Sequence, residues 1–127
     1  MDTNNQIVRY SDEELEEFKA LILEKLHQAE QSLEMLKGRL LIDESDPTFK
    51  VLEEGANTMT KEESGQRAQR QQEYVNKLRA ALHRVENKTY GVCRVTGKLI
   101  PKGRLLAVPH ATTSLEGKEI EQARKQR

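Results

Sequence analysis

The chain has 127 residues, room for one compact domain or for a small domain carrying an extended element. Charged residues make up 33% of it and aromatics only 4%, which excludes a large globular core and suits a solvated helix pair that buries one narrow stripe. The formal net charge is zero and gives no whole-chain attraction to nucleic acid, yet residues 1 to 60 hold 14 acids and 6 bases while residues 61 to 127 hold 7 acids and 15 bases, so the halves, at −8 and +8, favour antiparallel folding onto each other.

Ser11 followed by Asp12, Glu13 and Glu14 is a helix start, with a hydroxyl for the cap, a glutamate three residues on, and acids against the positive end of the dipole. From there Leu15, Phe18, Ile22, Leu26, Ala29, Leu33, Leu36 and Leu40 follow at steps of three and four, a coiled-coil seam. Pro47 disfavours helix at Asp46 and predicts a turn. A second helix is predicted from about Thr60 to Glu86, with Thr60 and Glu63 in capping-box spacing and a seam at Ala68, Gln71, Val75, Leu78, Leu82 and Val85. Leu78, Leu82 and Val85 are expected to face Leu15, Phe18 and Ile22. Ser64, Gly65 and Gln71 make the beginning of this helix polar and the weaker part of the pairing. The midpoint of the two arms puts the tip at about residues 43–57, and each arm would reach on the order of 45 Å at 1.5 Å per residue.

Beyond Asn87 the pattern changes to a short stretch punctuated by Gly97, Pro101, Gly103 and Pro109. Leu99, Ile100, Leu105, Leu106 and Val108 are expected to supply a small core with one short hairpin. A final helix from about Leu115 to Arg127 shows Leu115, Ile120 and Ala123 on a partial apolar face. The expected fold is mainly α: residues 1–86 form an N-terminal segment and a long antiparallel helical hairpin, and residues 87–127 a small module with a C-terminal helix. The lone Cys93 excludes an intramolecular disulfide and fits a reducing compartment. No apolar run approaches the roughly 18 residues a membrane span needs, and the N-terminus lacks a signal-peptide core, so a cytoplasmic chain with no membrane partner is expected.

Three short features stand where the second helix meets the module: Tyr90-Gly91-x-Cys93, Thr96-Gly97-x-x-Ile100, and Arg104-Leu105-x-Ala107-x-Pro109 followed by Ala111. They resemble the DksA/TraR family of zinc-finger-like transcription factors, which has the same order of N-terminal segment, helical hairpin, four-cysteine zinc module and C-terminal helix. The family spacing, laid from Cys93, puts the four ligand positions at Cys93, Thr96, Ser114 and Gly117, so one thiol remains. A structural zinc site needs four donors in a closed tetrahedron, and recruiting His110 would give only two. The expectation is a degenerate zinc finger with no metal, in which Cys93 acts as a small buried apolar residue.

The resemblance implies a regulator that binds RNA polymerase and inserts its hairpin into the secondary channel, where an Asp-x-x-Asp-x-Ala motif at the tip acts on promoter complexes, often with the alarmone ppGpp. The alarmone would be a ligand only within the polymerase complex. Acidic groups suit a basic, magnesium-bearing centre at the end of a narrow channel. Two placements of the motif remain open. Asp43-x-x-Asp46-x-Thr48 has the spacing with Thr for Ala, and counting back from Cys93 points instead to Glu53 and Glu54, with Glu54-x-Ala56 as its second half. Arg94, Lys98, Lys102, Arg104, Arg124 and Lys125 form a candidate basic contact surface. A structural or adaptor coiled coil is the alternative reading. A Gre-like cleavage factor would need a further β-rich domain of roughly 80 residues, and a direct DNA binder a recognition helix with a base-reading face. No nucleophile, base and orienting group share a recognisable spacing, so no enzyme is expected.

Overall fold

The computed structural model describes residues 8–41 and 61–125. Four helices follow in chain order: α1 (Asp12–Leu41), α2 (Lys61–Glu86), α3 (Lys102–Ala107) and α4 (Leu115–Lys125). The fold is mainly α, an antiparallel helical hairpin with a small C-terminal module, and the described residues contain no extended sheet, only an antiparallel bridge between Val92 and Leu99. None of the described helices is long and apolar enough to cross a membrane.

Helix α1 begins as its sequence dictates. The Glu14 amide donates to Ser11 Oγ at 3.2 Å and the Ser11 amide donates back to Glu14 Oε1 at 3.2 Å, a reciprocal capping box. Leu15, Phe18, Ile22, Leu26, Ala29 and Leu33 are all buried, and Leu36 is half-buried; the side chain of Leu40 and the Thr60 cap lie outside the described residues.

Helix α2 buries Ser64, Ala68, Val75, Leu78, Ala81 and Val85. The expected Leu82 is therefore corrected: it is half-buried, and Ala81 takes the fully buried place. A contact stripe on an α-helix drifts round its surface, so near the end of α2 the fully buried position is 81 in place of 82.

The helix ends in a Schellman arrangement: the Thr89 amide donates to the Arg84 carbonyl at 2.9 Å and the Lys88 amide to the Val85 carbonyl at 3.1 Å. The left-handed position is Lys88, with φ 63°.

The chain divides into two compact units. One comprises Met1–Glu24 and Leu78–Arg127, the other Lys25–Lys77. In the second, the Gln71 side-chain amide donates to the Ala29 carbonyl at 3.0 Å, so a half-buried polar residue joins the arms where the seam lacks a large apolar side chain. In the first, Tyr10 and Phe18 meet edge to face with ring centroids 5.3 Å apart, and Phe18 meets Tyr90 at 5.2 Å. Ile100 and Leu105 are fully buried in the same unit, whereas Leu99 and Leu106, expected in the core, are exposed. The stretch Lys102–Ala107, within the turn-rich segment where the sequence predicts a short hairpin, is helical: Pro101 precedes its first turn, and its fixed φ is compatible with a helix start.

Candidate functional site

The four positions of the family's ligand pattern meet around one sulfur. The turn that carries Cys93 is closed by the Gly97 amide on the Cys93 carbonyl at 2.9 Å and by the Cys93 amide on the Lys98 carbonyl at 2.8 Å. This turn brings the Thr96 amide to 3.4 Å from Cys93 Sγ. From the other side, Ser114 precedes α4, and its hydroxyl accepts the Gly117 amide at 3.0 Å as a helix cap. Both the Ser114 amide, at 3.3 Å, and its hydroxyl, at 3.6 Å, donate to the same sulfur. Gly117 completes the ring: a Cβ there would stand 2.6 Å from Cys93 Sγ, so α4 lies directly on the thiol. Burial alone would push the Cys93 thiol up, but hydrogen bonds from the Thr96 hydroxyl and amide and the Ser114 amide and hydroxyl outweigh it and bring it down to about 6.

These residues do not fit zinc. They offer one thiol, two neutral hydroxyls and, from Gly117, no donor, where a structural site needs four strong ligands. No group of three or more His, Cys, Asp or Glu side chains able to hold a metal ion occurs among the described residues. His110 is half-buried and its carbonyl accepts from Arg84 at 3.5 Å. In this chain the module is closed by hydrogen bonds to sulfur and by a helix cap that shares the same serine.

Of the six candidate basic residues, three are engaged within the chain. Arg94 is paired with Glu121, Lys102 with Glu14, and Arg104 Nε donates to the Thr113 carbonyl at 2.7 Å. Lys98 is exposed, and Arg124 and Lys125 are exposed in the last turn of α4, where they complement the helix dipole. The Lys102 ammonium, ahead of the Ser11 amide and hydroxyl, holds the Glu14 carboxyl down at about 2. The candidate tip residues Asp43, Asp46, Thr48, Glu53, Glu54 and Ala56 lie outside the described residues.

Sequence reasoning missed the part that ties the first turn of α1 to the module. The Tyr10 hydroxyl donates to the Ile100 carbonyl, and the Tyr10 ring covers Gly91, whose φ of 81° and missing Cβ make room for it. Tyr90 is fully buried and donates to the Pro109 carbonyl at 2.8 Å; burial pushes its phenol up to about 12, against the pull of the Arg84 charge. Lys88 reaches Asp12 at 2.6 Å. A partner 76 or 90 residues away leaves no mark in local periodicity.

Comparison with known proteins agrees with this geometry. Residues 88–123 match the family model of the prokaryotic dksA/traR C4-type zinc finger. Protein YteA of Bacillus subtilis, itself uncharacterised, is 46% identical over 46 residues, 36% of this chain and 19% of that protein. The RNA polymerase-binding transcription factor DksA of Caulobacter vibrioides is 44% identical over 55 residues, 43% of this chain and 39% of that protein. The matched stretch thus spans well under half of either relative's length. The solved structure of transcription factor DksA2 from Pseudomonas aeruginosa aligns with a TM-score of 0.71 and 25% identity over 89% of this chain and 86% of its own. The Chlamydia trachomatis RNA polymerase binding protein and transcriptional regulator Dks shares the fold, with a TM-score of 0.52 and 22% identity over 90% of this chain and 93% of its own. Residues 88–123 thus carry the sequence pattern of the dksA/traR C4-type zinc finger, and the chain is similar in fold, over most of its length, to solved DksA proteins.

Proposed function

We propose that this chain is a non-enzymatic, cytoplasmic transcription regulator that binds RNA polymerase and acts through the tip of its hairpin, inserted into the secondary channel, on the lifetime of promoter complexes. The observation that supports this most is the combination, in one chain, of the family's module in sequence with the DksA fold. Relatives of that description bind RNA polymerase, and the helical arms provide the reach a channel-inserted tip requires. Affinity comes from the sides of the hairpin and from the module, which offer more contact area than a turn. Activity comes from acidic tip groups, whose field is strongest in a narrow channel of low dielectric. The chain works alone or with ppGpp, which it would hold only together with polymerase, and its module works without zinc.

The reading is tested by copurifying the chain with core RNA polymerase and competing it with another secondary-channel protein. Displacement is expected; binding that such a competitor leaves untouched rules out the channel. Two amide variants then assign the tip, Asp43→Asn with Asp46→Asn, and Glu53→Gln with Glu54→Gln. One of them should bind like the parent yet lose its effect on promoter-complex lifetime. If both regulate like the parent, the acidic-tip mechanism is wrong.

A further inference from the structure

A half-open groove of about 490 Å³ crosses the module between the Thr96-Gly97 turn, α3 and the start of α4. Its apolar wall is made by Leu99, Pro101, Val108 and Leu115, and its charged wall by Lys98 and Arg104. Leu115 is 64% exposed and Leu99 37% exposed, so two leucines stand at a concave surface that no other part of the described chain covers. Part of the polar lining of the groove is already engaged. The Ser114 hydroxyl is shared between Gly117 and Cys93, and Arg104 Nε is held by the Thr113 carbonyl. A small polar ligand needs several convergent free donors and acceptors, whereas an apolar side chain needs only the wall. Charge narrows the choice further. Lys98 has no ion pair among the described residues, and residues 87–127 hold nine bases against three acids, of which Glu121 is already paired with Arg94 and Glu116 alone lines the groove.

We propose that this groove receives an aliphatic or aromatic side chain from an acidic surface segment of a protein partner and, resting on the polymerase reading above, that this partner is RNA polymerase. The leucines supply the contact and Lys98 favours a carboxylate beside it. Purified core RNA polymerase is the probe, titrated against the full chain and its variants. Leu115 is 64% exposed, so Leu115→Ser should keep the parent's melting temperature and circular dichroism, while Leu99→Ser, at 37% exposure, should keep the circular dichroism with a small drop in melting temperature. Each is expected to weaken binding roughly tenfold, the value of one leucine's lost burial. Lys98→Glu should weaken it as well, and more at low salt than at high salt. A photo-crosslinking amino acid at position 115 should label a polymerase subunit. If the parent binds polymerase and the folded leucine variants bind equally well, the groove is not the contact while the polymerase reading stands. If the parent does not bind at all, that reading and the partner assigned to the groove fall together. Labelling of a second copy of this chain instead of polymerase overturns the proposal in favour of self-association.

Discussion

At the scale of single residues, two glycines with the same backbone sign separate strain from crowding. Gly91 and Gly97 both have positive φ, 81° and 74°. A methyl at Gly91 would stand 2.6 Å from the Tyr10 ring, while nothing lies within 4 Å of one at Gly97. Gly97→Ala should therefore cost only the backbone term, roughly 1–2 kcal/mol. Gly91→Ala adds overpacking and should cost roughly 2–4 kcal/mol. Urea unfolding of the two variants measures the difference. Cys93 allows a second test, by pH. Its thiol is held at about 6 in the folded chain, below the ordinary range of a free cysteine. A depressed acid stabilises the fold fully above its unfolded pKa and loses that contribution as pH falls through the folded value. The melting temperature should thus rise between about pH 6 and pH 9 relative to Cys93→Ala, and parallel curves would show that the thiol does not ionise on folding. The roles of Gly91 and Tyr10 were not legible in sequence, because a glycine reveals its reason only when the ring that needs its space is known.

At the scale of elements, the helices were largely legible because their determinants are local. The Ser11 and Glu14 cap and the α1 seam from Leu15 to Leu33 are spaced in the sequence as they stand in the fold. The misplaced element was the seam of α2 near its end, since alanine counts little in a hydrophobic pattern although position 81 is fully buried. Leu78→Ala should cost about 2–4 kcal/mol because Leu78 is fully buried. Leu82→Ala, at a half-buried site, should cost on the order of 1 kcal/mol, and equal losses in denaturant titrations would restore position 82 to the seam. Helix α3 was hidden by composition. Pro101 and Gly103 read as turn residues, yet proline is compatible with a helix start and the buried Leu105 holds the single turn and a half in place.

At the scale of the whole molecule, the site was legible through the family resemblance, which supplied a ligand spacing to lay on the sequence. Counting from Cys93 selected Thr96, Ser114 and Gly117, and all three surround that sulfur; that Ser114 doubles as the cap of α4 could be known only from geometry. A fold closed in this way should not depend on metal. Elemental analysis of the purified chain should give far less than one zinc per chain, and a chelator should leave its melting temperature unchanged; one bound zinc would show that other donors are recruited. Conversely, Thr96→Cys, Ser114→Cys and Gly117→Cys together should create a four-thiol site that takes up one zinc, with α4 moving outward to relieve the 2.6 Å approach of a Cβ at position 117 to Cys93 Sγ.

One compact unit is assembled from both outer stretches of the chain, Met1–Glu24 and Leu78–Arg127, while the other is the uninterrupted stretch Lys25–Lys77. During synthesis the middle stretch has all its partners soon after it leaves the ribosome, and its pairing is local enough to form early. Tyr10 and Phe18 emerge well before their partners, since Ile100 lies 90 residues beyond Tyr10 and Tyr90 lies 72 residues beyond Phe18. Until those partners are made, the apolar face of the first three turns of α1 is therefore a vacant surface, open to a chaperone.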